Sequence, residues 1–187
     1  MTHTPTRPLH VLQRLVAAAV CFVVAGPAVT AAQGALDPRD RVSWTLYREL
    51  VTLPYYGVFD HLAFEVGPKG VVTLRGSVRR PSLKSDAEAR AKSVEGVEEV
   101  RNEIEVLPAG AQDDRIRLAT YRAIYRHDSL ERYALNAVPP IHIIVNNGRI
   151  TLEGIVDSQM DSQLAEAQAR SVPGTFAVTN NLTVEQP

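Results

Sequence analysis

The chain has 187 residues, a formal net charge of −1, 45% hydrophobic residues and 22% charged ones. That length holds one ordinary domain or two small ones, and the near-balance of charge excludes a strongly basic nucleic-acid surface at the level of the whole chain. A single cysteine, Cys21, excludes a framework of intramolecular disulfides.

The first segment reads as a leader. Arg7 and Arg14 precede the apolar run Leu15 to Val24, Gly26-Pro27 breaks that run, small residues follow, and no acid occurs before Asp37. The run is about half of the roughly 20 residues a membrane span needs. A cleavable secretory signal over residues 1–32 is therefore predicted, cut after Ala31 or Ala32, with an uncleaved anchor as the alternative. Val20 before Cys21 is not the small residue a lipid-attachment signal uses, and the cysteine comes too early, so lipidation is excluded. Cleavage would remove two arginines and no acid, taking the net charge from −1 to −3. The remaining chain has no cysteine, so its stability must come from packing alone.

Asp37-Pro38 opens a predicted helix, with Asp as cap and Pro in the first turn. Val42, Leu46 and Leu50 form its apolar stripe. Pro54 to Phe59 (PYYGVF) is an aromatic connection, either exposed or packed between domains. Leu62, Phe64 and Val66 alternate with His61, Ala63 and Glu65, giving a strand. Gly67-Pro68-Lys69-Gly70 is a turn, and Val71 to Val78 is the returning strand of a hairpin. Leu83, Ala87, Ala91 and Val94 share one face of a second helix that opens at Pro81. Val100, Ile104 and Val106 alternate in a third strand, with Asn102 on the same side.

Pro108 to Gln112 is a short linker, after which the order repeats. GVVTLRGSV (Gly70 to Val78) returns as GRITLEGIV (Gly148 to Val156), and Ser93 to Val106 returns as Ser171 to Val184. Asp113 is a candidate cap for a helix carrying Ile116, Thr120, Ala123 and Ile124. Ile141, Ile143 and Val145 form a strand, Asn147-Gly148 a hairpin turn. Met160, Leu164, Ala167 and Val172 mark a helix, and Val178, Asn180, Leu182 and Val184 the last strand. The His127 to Pro140 segment is longer than its counterpart. The predicted fold class is α+β: two tandem αββαβ units, over 37–107 and 113–187, each a three-stranded mixed sheet with two helices on one face. Units of about 70 residues are near the size at which a single core suffices, so the two are expected to lean on each other. Asn102 and Asn180 occupy equivalent sites and are expected to satisfy backbone groups between sheet and helix.

No catalytic constellation is legible. His61 and His142 fall out of phase with the apolar residues of their strands, so they face solvent or the other domain. No histidine–carboxylate or cysteine spacing suits a metal, Ser43, Ser129 and Ser158 lack a nucleophile context, and the Gly67 to Gly70 turn is not a phosphate loop. No enzyme activity, cofactor or metal is expected. The first helix of the second unit is more informative. Arg115, Arg117, Arg122, Arg126 and Arg132 are interleaved with Tyr121, Tyr125 and Tyr133, and Leu130 and Leu135 follow in the longer segment. Arginine with tyrosine suits a phospholipid headgroup layer. The expected membrane contact set is Arg122, Tyr125, Arg126, Leu130, Arg132 and Tyr133. The same pattern also fits ordinary core tyrosines beside a solvated basic face.

The doubled G-x-[VI]-T-L-x-G-x-V, helix, S-V-x-G and V-x-N-x-[IL]-x-V resembles the BON-domain family over about Asp37 to Glu185. The resemblance implies a pair of αββαβ modules in an exported, periplasmic envelope protein without enzymatic activity. It implies anionic phospholipid surfaces or envelope proteins as partners, in envelope integrity or chaperoning, and leaves room for self-association; nucleic acid is not expected. The chain departs from lipoprotein members in lacking a modifiable cysteine, and from the commonest pattern at Pro173, where the first copy has Glu95.

Overall fold

A computed structural model describes residues 37–185. The predicted leader, with Cys21 and its cleavage after Ala31 or Ala32, lies outside the described residues.

Helix α1 (Pro38–Val51) starts where the Asp37 carboxylate accepts the Arg39 N–H at 2.8 Å. Its acidic Asp40 and basic Arg48 lie at the ends that the helix dipole favours. Strands β1 (His61–Val66) and β2 (Val71–Val78) form an antiparallel hairpin, His61 opposite Ser77 and Val66 opposite Val72. Helix α2 (Pro81–Lys92) then crosses over. The predicted third strand is in two pieces, β3 (Glu99–Asn102) and β4 (Glu105–Val106), both parallel to β2 in one register. The gap lies opposite Arg75 and Gly76, and Gly76 has φ +115. Regular strand geometry is lost there, although Ile104 still turns into the core.

The second half is built from α3 (Ala111–Tyr125), β5 (Ile141–Asn146), β6 (Arg149–Val156), α4 (Gln159–Arg170) and β7 (Ala177–Val184). β5 is antiparallel and β7 parallel to β6. β7 runs unbroken past the matching Gly154, where the Thr183 hydroxyl donates to the Gly154 carbonyl at 3.1 Å. The equivalent residue in the first half is Glu105. Helix α3 begins earlier than expected. Gly110 is the residue before it, and the predicted cap Asp113 lies inside the helix and is buried. Its carboxylate instead accepts the N–H groups of Asn147 at 2.9 Å and Gly148 at 2.8 Å, tying α3 to the hairpin turn. The longer segment carries a short 3-10 turn, Glu131–Leu135.

Val72, Leu74 and Val78 alternate along β2 and share a buried cluster with Val42, Leu46 and Leu50 of α1 and Leu83, Ala87 and Ala91 of α2. Both helices therefore cover the same face of the first sheet. The second cluster joins Ile116 and Ile124 of α3 to Ile150, Leu152 and Val156 of β6 and Ala165 and Ala169 of α4. Val58 and Phe59 of the first half pack against this second core. The two halves thus share buried surface, as expected for units too small to be generously stable alone.

Candidate functional site

The predicted contact set divides on burial. Leu130 is 0% exposed and Tyr125 and Tyr133 are buried beside it, which removes all three from any membrane interface. Each tyrosine finds a backbone partner inside the fold. The Tyr125 hydroxyl donates to the Ile141 carbonyl at 2.6 Å and accepts the Ile141 N–H at 3.2 Å. The Tyr133 hydroxyl accepts the Asp157 N–H at 2.8 Å and donates to Asp161 at 3.1 Å. Burial pushes both phenols above their ordinary pKa. The longer segment folds over the start of β5 and the β6–α4 turn, so its Leu130 and Tyr133 serve the core, whereas Leu135 is exposed. Arg132 is half-exposed but committed: it pairs with Asp157 at 3.2 Å and Asp161 at 2.7 Å and lies over the Tyr133 ring. Only Arg122 and Arg126 of the set are exposed without an ion pair among the described residues. Arg115 and the half-exposed Leu118 lie on the same outer stripe of α3.

Arg117, read from sequence as part of that basic face, is 3% exposed. Its guanidinium pairs with Asp114 at 2.8 Å and donates to the Val145 carbonyl at 2.6 Å. Asp113, Arg117, Thr120 and Ile124 follow helical spacing and are all buried, although period alone does not assign a charged residue to a buried face. Arg117 also completes the cover of an open strand edge. Along the outer side of β5, Ile141 is held by Tyr125, the Ile143 N–H donates to the Val58 carbonyl at 2.8 Å, and Val145 is held by Arg117.

The Val58 contact belongs to a joint between the halves. Phe59 meets Tyr121 edge-on at 6.1 Å between ring centroids, and Arg79 pairs with Asp114 at 3.2 Å. The Tyr56 ring lies 5.6 Å from that of His142, and its hydroxyl is 3.5 Å from His142 Nε2. His61 meets His142 edge-on at 5.8 Å. Of the two options open for these histidines, the structure takes the one in which they face the other half. Within PYYGVF, Tyr56 and Phe59 pack between the halves, whereas Tyr55 is exposed beneath the Arg80 guanidinium, 4.4 Å away.

Beside the joint is a cleft of about 700 Å³. Leu50 and Leu62 wall it from the first half, Val138 and Ile155 from the second, and His61, His142 and Glu153 supply polar groups. Tyr47 and Ile155, each 53% exposed, stand at its rim, with Trp44 against Tyr47 at 6.5 Å. Burial foremost, and then the neighbouring His61, push the pKa of His142 down to about 4. Burial lowers that of His61 as well, against the opposing charge of Glu153. Tyr56 is pushed up to about 12, again by burial first. The sequence contained the two histidines but nothing that announced their meeting.

Asn102 and Asn180 act as expected. The Asn180 amide donates to the Ser162 carbonyl at 3.1 Å and its oxygen accepts the Leu182 N–H at 3.1 Å. Asn102 does the same between Lys84 and Ile104, at 3.0 and 3.2 Å. Ser158 caps α4 through the Asp161 N–H. Among the described residues no three His, Cys, Asp or Glu side chains converge as a metal-ligand group, and no helix is long and apolar enough to cross a membrane.

Osmotically-inducible protein Y of Escherichia coli (strain K12) is 33% identical over 120 residues, which cover 60% of this chain and 56% of that protein. The chain thus spans little more than half the length of this curated relative. Two structures of CdsD, a structural protein of the type III secretion system of Chlamydia trachomatis, align at 11% identity and a TM-score of 0.26. One, its C-terminal domain, covers 81% of this chain and 98% of that chain; the other covers 75% and 92%. The BON domain model matches residues 59–108 and again 113–186, one match in each half and more than half of the whole. With the repeated strand–helix–strand order and its paired asparagines, that double match makes the chain a member of the BON-domain family.

Proposed function

We propose that this is a non-enzymatic protein of the cell envelope, serving under osmotic stress, that holds apolar segments of incompletely folded envelope proteins in the cleft between its halves. The carrying observation is the cleft of about 700 Å³, apolar at its walls and rimmed by the exposed Tyr47 and Ile155. Exposed apolar groups that continue into a cleft gain roughly 25 cal/mol for each Å² they cover. Asn181 and Thr183 line the same cleft; they donate within the fold, to Glu153 and Gly154, and their side-chain oxygens can accept N–H groups of an extended guest. The relationship to an osmotically inducible protein supports the setting. Export by the leader would deliver the chain to the periplasm as a tandem of αββαβ units.

The test is suppression of aggregation of a denatured outer-membrane protein on dilution. Wild type should suppress it, and the pair Tyr47→Asp, Ile155→Asp should not, with circular dichroism unchanged. Equal suppression by the variant would remove the cleft from the account.

A second reading rests on a separate observation: Arg115, Arg122 and Arg126 form an exposed stripe on α3 without ion pairs among the described residues. An arginine near an anionic surface contributes about 1 kcal/mol, so the stripe supports weak, reversible attachment to anionic phospholipid. Flotation with anionic vesicles that is lost in high salt would favour this reading over the first.

A further inference from the structure

The joint between the halves contains a titratable pair that neither cleft binding nor surface charge employs. We propose that His61 and His142 form an acid-released latch, holding the two halves together while both imidazoles are neutral and releasing them on protonation. Both histidines also line the cleft, so the inference concerns the joint with the cleft empty and is tested on the chain alone.

The geometry supplies the reason. His61 is on β1 of the first half and His142 on β5 of the second, with ring centroids 5.8 Å apart. His142 is 9% exposed, and its Nδ1 has no hydrogen-bond partner in the structure. A neutral imidazole tolerates this, because one ring nitrogen carries no proton. An imidazolium carries two N–H donors and a charge, both stripped of water here.

The backbone carbonyls of Asp60 and Gly57 favour a proton on His142, but burial and the neighbouring His61 outweigh them. From the segment before β1 come Tyr56, whose hydroxyl is 3.5 Å from Nε2, and Asp60, whose carboxylate already accepts the Arg79 N–H at 2.7 Å. From β1 comes His61 itself. From β6 comes Glu153, which accepts the Asn181 amide at 2.7 Å and favours a proton on His61. From α1, Tyr47 lines the same cleft. No carboxylate forms an ion pair with either imidazole among the described residues. Glu153 favours a proton on His61, and a charge on His61 opposes one on His142.

The sign follows from linkage. With the halves apart, His142 titrates near the ordinary value of about 6.5; in the closed joint it is held down to about 4. The open arrangement binds protons more tightly, so the closed one is favoured in full above about pH 6.5 and loses ground as pH falls toward about 4. Each pH unit within that window shifts the balance by up to about tenfold, roughly a hundredfold across it. Opposing this are the packing of Val58 and Phe59 on the second core, the backbone hydrogen bond from Ile143 to Val58, the Asn146 amide donating to Glu105 at 3.1 Å and the half-exposed Arg79–Asp114 pair.

The Ile143 amide reports on the joint directly, because it is bonded across it and adjoins His142. Hydrogen exchange of the intact chain, followed by NMR from about pH 7.5 to about pH 4.5 and corrected for intrinsic rates, reads it out. Protection of Ile143 should fall at least about tenfold more than that of Leu74 and Leu152, which lie in the two central strands. The His142→Phe variant, neutral at every pH, should hold Ile143 protected at the acid end; His61→Gln should give a smaller response than wild type. The latch is overturned if wild-type Ile143 protection does not change. It is also overturned if Leu74 and Leu152 lose protection in step, which is general acid unfolding, or if the foldable variants respond as wild type does.

Discussion

Several polar side chains sealed inside this protein, Asp113, Arg117, Tyr125 and Tyr133 among them, complete the backbone hydrogen bonds of strand ends, edges and turns. Tyr125 is the sharpest case, since one hydroxyl serves both the N–H and the carbonyl of Ile141. Tyr125→Phe keeps the ring and strands both groups. It should lower unfolding free energy by about 1–3 kcal/mol in urea denaturation. Arg117 illustrates the same principle with a charge, because its guanidinium supplies the partner of the buried Val145 carbonyl. The residues that promised a headgroup site thus divide by what they touch: Tyr125 and Tyr133 touch backbone, Arg132 touches two aspartates, and Arg122 and Arg126 touch solvent.

Among elements, the strand glycines are common to both halves, whereas the 127–140 segment sets the second half apart from a plain copy of the first. A Cβ on Gly154 would lie 1.9 Å from the Pro140 carbonyl oxygen, and one on Gly76 would lie 2.1 Å from that of His61. Both backbones have φ near +120, at +115 and +121. Gly154→Ala should therefore cost well over about 1 kcal/mol, whereas Gly110→Ala, with nothing within 4 Å and no positive φ, should be close to neutral. Thermal melts of the two variants side by side provide the comparison. In the longer segment, Leu130 is fully buried and Leu135 is the most exposed of the large apolar residues described. Leu130→Ala should cost about 2–5 kcal/mol, and Leu135→Ser very little.

For the whole molecule, the free charge on α3 and the cleft lie in different places and make separable predictions. Arg122→Glu with Arg126→Glu should reduce flotation with anionic vesicles, if attachment occurs, and leave both the fold and suppression of aggregation unchanged. Reversal at Arg132 does not belong in that experiment: it would break the links to Asp157 and Asp161 and confound charge with stability. Reversal at Arg39 and Arg41 on α1 is the matched control.

Hydrophobic period and turn chemistry are local properties, and they carried the fold class. Val72, Leu74 and Val78, or Leu83, Ala87 and Ala91, declare their faces from spacing alone, and the offset repeat declares the doubled order. The pairing role of Asn102 and Asn180 was legible too, because each sits beside its strand partner in the chain. Two things escaped, the break in the third strand opposite Gly76 and the burial of Arg117, and one was left open: whether Tyr125 and Tyr133, with Leu130, meet a membrane or the core. Each depends on what another segment brings near. An Arg–Tyr helix face looks the same whether a membrane, solvent or a strand edge lies against it, and only the path of the 127–140 segment chose the strand edge. The meeting of His61 with His142 is of the same kind. Their strand phase said that they leave their own cores, and the docking of the halves through Val58 and Phe59 decided that they meet, because burial and proximity between distant segments are set by packing and not by period.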